Sequence, residues 1–256
     1  EDRPADSSLV VDSVESGRLA GRSPNLSQKL IYIRQRLHSS ERTASIGMYI
    51  PTPFREDRLD VLHEVIRQFS FATLVSYGAN GPIATHLPLL LDPTRGPLGT
   101  LIGHVARENP HWQVFRDAPG AETLAIFLGP HAYISPTWYT TPYAVPTWNY
   151  VAVHAYGRPT AIEDESAVFK IVAETVRVYE SQFDYAWDLN AYRDYAQKLL
   201  KNIVGFEFEI TRIEGKRKLN QNRSQADQSS VIAGLTEQAD PLGLALASLM
   251  RERSGQ

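Results

Sequence analysis

Segments in which hydrophobic and polar residues alternate predominate between residues 71 and 215. Alternation of period two is typical of a strand with one buried face. Glycines at 78 and 81 separate the first two segments, a spacing that predicts a tight hairpin turn. The pattern predicts seven strands, at residues 71–77, 82–91, 99–106, 123–129, 132–139, 145–157 and 204–215.

Helical periodicity is confined to a few segments. Asp57 is a suitable N-cap for a first helix, whose apolar stripe consists of Leu59, Leu62, Ile66 and Phe69. Asn109 before Pro110 predicts the start of a short helix. Further helices are expected at residues 165–183, 190–203, 224–235 and 240–253. Because six strands come before the long helices, the order favours an antiparallel barrel of the α+β class, mainly β, with peripheral and C-terminal helices.

The first 47 residues differ from the rest of the chain. Residues 1–25 are polar and rich in serine and charge, a composition typical of disordered segments. One amphipathic helix is predicted in this extension, on a stripe of Leu26, Leu30, Ile33 and Leu37. No linker divides residues 48–256, so we expect an extension of residues 1–47 followed by one domain.

Composition excludes several kinds of protein. The net charge is −3, so we expect nucleic-acid binding to be weak or absent. The chain has no cysteine, which excludes disulfides and thiolate chemistry and suits a cytoplasmic protein. No apolar run approaches the roughly 20 residues that cross a bilayer. The G-x-S-x-G, Walker, Rossmann and H-E-x-x-H motifs are all missing, and we expect no metal.

The strand at residues 145–157 has more aromatic and imidazole side chains than the wall of a barrel requires. Alternation places four aromatic or imidazole side chains on one face: Trp148, Tyr150, His154 and Tyr156. The simplest interpretation makes them core aromatics, and the alternative is that this face lines a cleft.

Two other segments bring polar groups to strands and their ends. His86 lies within a predicted strand, and His104 and Arg107 lie where another strand ends. Arg107 precedes the helix start at Asn109, and arginine beside free helix amides is suited to a phosphate. The three histidines of these strands, His86, His104 and His154, could also converge on a metal, but no spacing supports that alternative.

Residues 216–224, KRKLNQNRS, form a basic segment with three amide side chains. For such a run taken alone, a solvated loop and helix cap is the favoured explanation. Together with the aromatic face and the phosphate donors, however, these groups fit a planar phosphorylated cofactor.

Eight segments in order resemble the PaiB family of FMN-binding split-barrel proteins, which are often described as negative transcriptional regulators. They are MYIP..F, FATLVS, ATHLPLLLD, GHVARENPHW, IFLGPHAYISPTWY, VPTWNYVAVHAYG, IVGFEFEI and KLNQNRSQAD. The resemblance covers residues 48 to about 251. Asn220 replaces the usual serine of KLSQNR, residues 140–144 lack the expected charges, and the extension has no counterpart in short bacterial members. These departures weigh against a bacterial regulatory role more than against the fold.

The resemblance implies a homodimeric split antiparallel β-barrel with FMN at the subunit interface. It places Thr85, His86 and Leu87 along the flavin, and His104, Arg107 and Asn109 at the phosphate. The other implied cofactor contacts are Trp148, Asn149, His154, Lys218, Gln221, Asn222 and Arg223.

A flavin-dependent oxidoreductase or flavin sensor is the favoured function, with the small-molecule ligand in the barrel cleft. Three alternatives stay open: a transcriptional regulator, a haem-binding or haem-degrading barrel, and a flavin-free enzyme of specialised metabolism that reuses the pocket. The regulator is poorly supported, because no helix-turn-helix is recognisable. No catalytic residue is assigned, and the candidates are His86, His104, His154 and Tyr150.

Overall fold

The structure of the chain, a computed structural model, describes residues 47–184, 187 and 189–255. Eight strands are present in these residues: β1 Arg55–Glu56, β2 Phe71–Gly78, β3 Gly81–Pro88, β4 Leu90–Asp92, β5 Thr100–Ala106, β6 Thr123–Ile134, β7 Thr147–Ile162 and β8 Ile203–Lys218. The amphipathic helix predicted in the extension lies outside the described residues.

Six α-helices accompany the strands in the same residues: α1 Leu59–Gln68, α2 His111–Asp117, α3 Glu165–Glu180, α4 Arg193–Leu200, α5 Gln225–Gln238 and α6 Pro241–Ser254. Ser224 and Asp240 cap α5 and α6 by accepting backbone N–H groups, as their residue types favour. None of these helices is long and apolar enough to span a membrane.

One antiparallel sheet forms the barrel. Its strand order is β3-β2-β6-β7-β8-β5-β4, and β1 pairs with β8. The two ends of this order, β3 and β4, are consecutive in the chain and separated by Leu89 alone, so the sheet curls round on itself. Gly81, at φ +113°, makes the turn between β2 and β3 possible. The predicted split antiparallel barrel is confirmed.

The barrel interior is apolar. Leu74, Phe127, Val153, Phe206 and Phe208 come from four different strands, and each is almost completely buried. Leu62 and Ile66 of α1 join the same core. The helix packs so closely on β8 that a methyl group at Gly215 would lie 2.1 Å from Leu62 Cδ2.

A bulge in β6 and another in β8 change which residues, odd- or even-numbered, point into the barrel. In β8, Tyr156 pairs with Arg212 and Gly157 pairs with Ile210, so Thr211 is the additional residue. Even-numbered residues of β8 point inward up to Ile210 and outward from Arg212. In β6 the register shifts between Leu128 and His131, with the same effect.

Four local predictions need correction. The strand predicted at 82–91 is two strands, β3 and β4, separated by Leu89. Asp57 does not cap α1, because Arg58 occupies the N-cap position and no side chain caps it. The strands predicted at 123–129 and 132–139 are one strand, β6, which continues through the bulge and ends at Ile134. The helix expected to have Pro110 at its first position begins at His111.

Candidate functional site

The strand register defines an outer face, the side of the sheet that points away from the barrel interior. It is formed by Pro82, Ala84 and His86 of β3; Phe71, Thr73, Val75 and Tyr77 of β2; Leu124, Ile126, Leu128, His131 and Tyr133 of β6; Trp148, Tyr150, His154 and Tyr156 of β7; and Arg212, Glu214, Lys216 and Lys218 of β8. Large apolar side chains stay exposed there, including Phe71 at 69%, Tyr77 at 75% and Leu128 at 52%. Several large exposed apolar side chains on one face of a sheet indicate an interaction site.

A basic border lies along β8 on the outer face. Lys216 Nζ donates to the carbonyl of Tyr49 at 2.8 Å and lies 5.1 Å from the Tyr150 ring. Lys218 Nζ donates to Thr147 Oγ1. Burial and the neighbouring Lys216 ammonium lower the pKa of Lys218. Within the described ranges, neither ammonium forms an ion pair with a carboxylate, so this border has uncompensated positive charge.

An aromatic cluster adjoins the basic border. Lys218 pairs with Tyr150, which pairs with His131. Trp148 is 53% exposed, and its ring lies 6.3 Å from His131 and 6.2 Å from Tyr133. The predicted grouping of Trp148, Tyr150, His154 and Tyr156 on one face is therefore present.

His154 and His86 lie in one row of the outer face but do not meet. The row runs from His86 through Thr73 and Ile126 to His154, which is three strand spacings, or about 14 Å. His86 is exposed on the edge strand, where its Nδ1 lies 3.0 Å from Thr73 Oγ1. In the described part of the chain, no three His, Cys, Asp or Glu side chains are grouped to hold a metal ion.

A chain of hydrogen bonds inside the barrel engages two predicted site residues, Thr85 and Asn109. Asn109 Nδ2 donates to Thr85 Oγ1 at 3.1 Å, and the same hydroxyl lies 2.8 Å from His111 Nδ1. His111 Nε2 continues to Ser76 Oγ at 2.8 Å. His111 is fully buried, and burial lowers its pKa to about 4, so it is neutral at physiological pH. Asn109 Oδ1 also accepts the His111 amide at 3.0 Å.

Arg107 is occupied by contacts within the barrel wall. Its Nε donates to the Lys201 carbonyl at 2.9 Å, Nη2 donates to the Ile203 carbonyl at 3.3 Å, and Nη1 pairs with Glu163 at 2.7 Å. These partners are those of a structural arginine that ties β5 to the start of β8. Its assignment to a phosphate stays a prediction, and these contacts do not favour it.

His104, Leu87 and Asn149 are separated from the outer face. His104 pairs with Gly205, which contacts α3, and burial lowers its pKa. Leu87 belongs to the core. Asn149 is fully buried and donates to Met250 Sδ at 4.0 Å. Leu87 and Asn149 therefore have only backbone atoms to offer a ligand on the outer face.

The segment after β8 folds back on itself. The side-chain amide of Gln221 bonds the backbone of Arg217 and Leu219, while Arg223 lies 4.7 Å above the Tyr139 ring. Asn222 is exposed. Of the predicted residues in this segment, only Lys218 lies on the outer face.

Sequence reasoning identified Lys218 but missed the charged row of β8 to which it belongs, and it missed one buried carboxylate. A signal was present for the row, because Arg212, Glu214, Lys216 and Lys218 recur at every second position. The carboxylate is Asp227 of α5, which accepts from the backbone and hydroxyl groups of Thr140 and Thr141 at 2.6–3.0 Å. These bonds hold its pKa well below the usual range.

Comparison with known proteins gives consistent findings. A family model described as "Putative FMN-binding domain" matches residues 48–212. The protease synthase and sporulation protein PAI 2 of Bacillus subtilis is 35% identical over 208 residues, which are 80% of this chain and 98% of that protein. An uncharacterized protein of Emericella nidulans is 31% identical over 245 residues, with 80% of this chain and 97% of that protein covered.

A solved structure shares the fold. The flavocytochrome Anf3 from Azotobacter vinelandii aligns at a TM-score of 0.50 with 9% identity, covering 69% of this chain and 75% of that one. At this identity the likeness concerns the fold alone. The extent of the family match and the identity to the Bacillus protein lead to the identification: the chain belongs to the PaiB family of FMN-binding-domain proteins.

Proposed function

We propose that the protein binds FMN at the basic border of the outer face and acts as a flavin-dependent oxidoreductase or a flavin sensor. The observation that carries the proposal is the pair Lys216 and Lys218, whose ammonium groups have no carboxylate partner in residues 47–255 as described. A ribityl phosphate would supply the missing negative charge through charge-assisted hydrogen bonds.

The surroundings of the lysine pair fit the rest of such a cofactor. Tyr150 and the exposed Trp148 offer aromatic surfaces beside the ammonium groups, and flat rings stack well on such side chains. When bound, the flavin supplies electron-transfer chemistry, while the protein supplies position and electrostatics. The family's FMN-binding description supports flavin over haem as the ligand.

Titration of purified protein with FMN tests the proposal. We expect the protein to retain or take up FMN, to show the absorption bands of an oxidised flavin, and to quench its fluorescence through the neighbouring aromatic rings. Titration with haem in parallel is the control. A Soret band with no uptake of FMN would favour the haem alternative, and a protein that binds neither would contradict flavin binding and favour a flavin-free enzyme.

We also propose that the apolar part of the outer face packs against a second copy of the chain. Phe71, Tyr77 and Leu128 expose apolar surface that a homodimer would bury. The lysine pair lies at one side of that surface, so FMN would be held near the subunit boundary.

An outward-pointing charge tests the dimer without touching the core. We expect sedimentation equilibrium to show a dimer for the wild type and a monomer for Leu128→Asp, because Leu128 points out of the barrel. Leu242→Asp on α6, a leucine of similar exposure at 44%, is expected to stay dimeric. A monomeric wild type, or a dimeric Leu128→Asp variant, would be incompatible with packing through this face.

A further inference from the structure

Four polar side chains form a compact block on the outer face where β7 meets β8. The register places His154 opposite Glu214 and Tyr156 opposite Arg212. Tyr156 is buried, and the Glu214 side chain is only 14% exposed. The block therefore combines an acid, a base and a cation in a place with little water.

Glu214 is held by three donors. Arg212 Nη1 donates to its Oε1 at 2.6 Å, while the Met48 amide and the Tyr156 hydroxyl donate to its Oε2 at 2.8 and 3.2 Å. Glu122 of the segment before β6 lies 3.5 Å from the same guanidinium. Since the Tyr156 hydroxyl donates its only proton to Glu214, its oxygen can act towards other groups only as an acceptor.

This arrangement favours one tautomer of His154. Its Nδ1 lies 3.5 Å from the Tyr156 hydroxyl oxygen, so a hydrogen bond between them requires the proton on Nδ1. The lone pair of the neutral ring is then on Nε2. Burial lowers the pKa of His154, with Glu214 opposing and Arg212 reinforcing the shift, which keeps the ring neutral at physiological pH, with a lone pair that can accept a proton.

No hydrogen-bond partner of Nε2 exists among the described residues. The cross-strand neighbour of His154 on β6 is the apolar Ile126. A neutral imidazole whose outer nitrogen is unpaired, and whose inner nitrogen is connected to a carboxylate through a tyrosine, has the organisation of a general base with its orienting groups.

We propose that His154 exchanges a proton with the ligand on the outer face, and that Tyr156 and Glu214 position His154 and stabilise its charged form. The ligand class is a conjugated or heteroaromatic compound with an ionisable N–H or O–H group. The proton passes to Nε2 while the electron pair of the broken bond stays on the ligand atom, and the reverse transfer restores it. The inference rests on the proposed function, since that function places a ring system on this face.

Nitrogen-15 NMR of histidine-labelled protein without ligand tests the positioning groups. We expect the Nδ1–H tautomer for His154 in the wild type. Tyr156→Phe, which removes only the hydroxyl, is expected to abolish the preference for this tautomer and to lower the pKa of His154 further. Tyr179→Phe is the matched control, because it removes a tyrosine hydroxyl that bonds Ser70 at 2.6 Å outside the block. An unchanged tautomer and pKa in Tyr156→Phe would overturn the positioning role.

The midpoint potential of bound FMN, measured against pH by dithionite titration, tests proton exchange itself. In the wild type we expect one additional proton per two electrons in the pH range between the pKa values of His154 beside the oxidised and the reduced flavin, because the charge of the reduced flavin raises the pKa of a nearby imidazole. His154→Gln, which retains a polar side chain, is expected to lose this additional proton in its FMN complex. The same pH dependence in the two proteins overturns the role of His154 alone. Failure of the wild type to bind FMN instead overturns the proposed function and the ligand named here.

Discussion

The double variant Lys216→Gln, Lys218→Gln is expected to bind FMN about a hundred- to ten-thousandfold more weakly than the wild type and to bind riboflavin almost equally well. Charge-assisted hydrogen bonds contribute about 1.5–3 kcal/mol each, and riboflavin has no phosphate to lose. Glutamine keeps an N–H donor for the Tyr49 carbonyl and Thr147 hydroxyl, so the fold is expected to survive. Fluorescence titration with both flavins measures the ratio.

Two single variants complete this experiment. Lys170→Gln removes the same charge from an exposed position on α3 and is expected to change neither affinity. Arg107→Ala removes three contacts of the barrel wall, so we expect a lower melting temperature and an unchanged ratio of the two affinities. Equal losses of affinity for FMN and riboflavin in the lysine variant would show that the phosphate does not bind at this border. A selective loss of FMN affinity in Arg107→Ala would show that the phosphate binds at Arg107, as the sequence predicts.

Replacing Asp227 by alanine is expected to lower the melting temperature by roughly 10 °C. The carboxylate is almost completely buried and accepts four hydrogen bonds from Thr140 and Thr141, which tie the loop after β6 to α5. Its removal leaves the donors of that loop without partners. Asp240→Ala, which removes the single capping bond to the Gly243 amide, is the control and is expected to cost about 3 °C.

Acid should reduce the difference between wild type and Asp227→Ala. The bonds from Thr141 and Thr140 hold the pKa of Asp227 far below that of the unfolded chain. The stabilisation is therefore complete above a pH of about 4 and is lost progressively as the pH falls below it. Thermal unfolding at several pH values measures the difference between the two proteins. A constant difference down to acid pH would show that the carboxylate charge contributes nothing.

Most of the barrel could be predicted because strand formation depends on local alternation. In β8, apolar residues at every second position from Val204 to Ile210 identify the strand. The face that later residues take could not be predicted from period alone, because the additional residue at Thr211 turns Arg212 outward without changing the spacing. The change from apolar to charged residues at an unchanged period was the available signal.

The site was less predictable because its contacts join distant parts of the chain. Thr85 and His86 are adjacent, yet one side chain bonds His111 inside the barrel and the other lies on the outer face. In its own segment, Arg107 has no evident partner and is therefore predicted to bind a phosphate, but its three hydrogen-bond partners lie 56 to 96 positions away. No local sequence pattern shows that its guanidinium already forms these hydrogen bonds.

The bulge in β6 keeps the outer face continuous although the strand contains an extra residue. If a relative lacks one residue between Leu128 and His131, two residues no longer oppose Val151, the ladder becomes regular, and His131 and Tyr133 stay on the outer face opposite Tyr150 and Trp148. Gly129 and Pro130 suit the bulge, since neither favours a regular central strand. Gaps in alignments of this family therefore belong beside these two residues, and a natural deletion of one of them should leave the polarity of the four following positions unchanged.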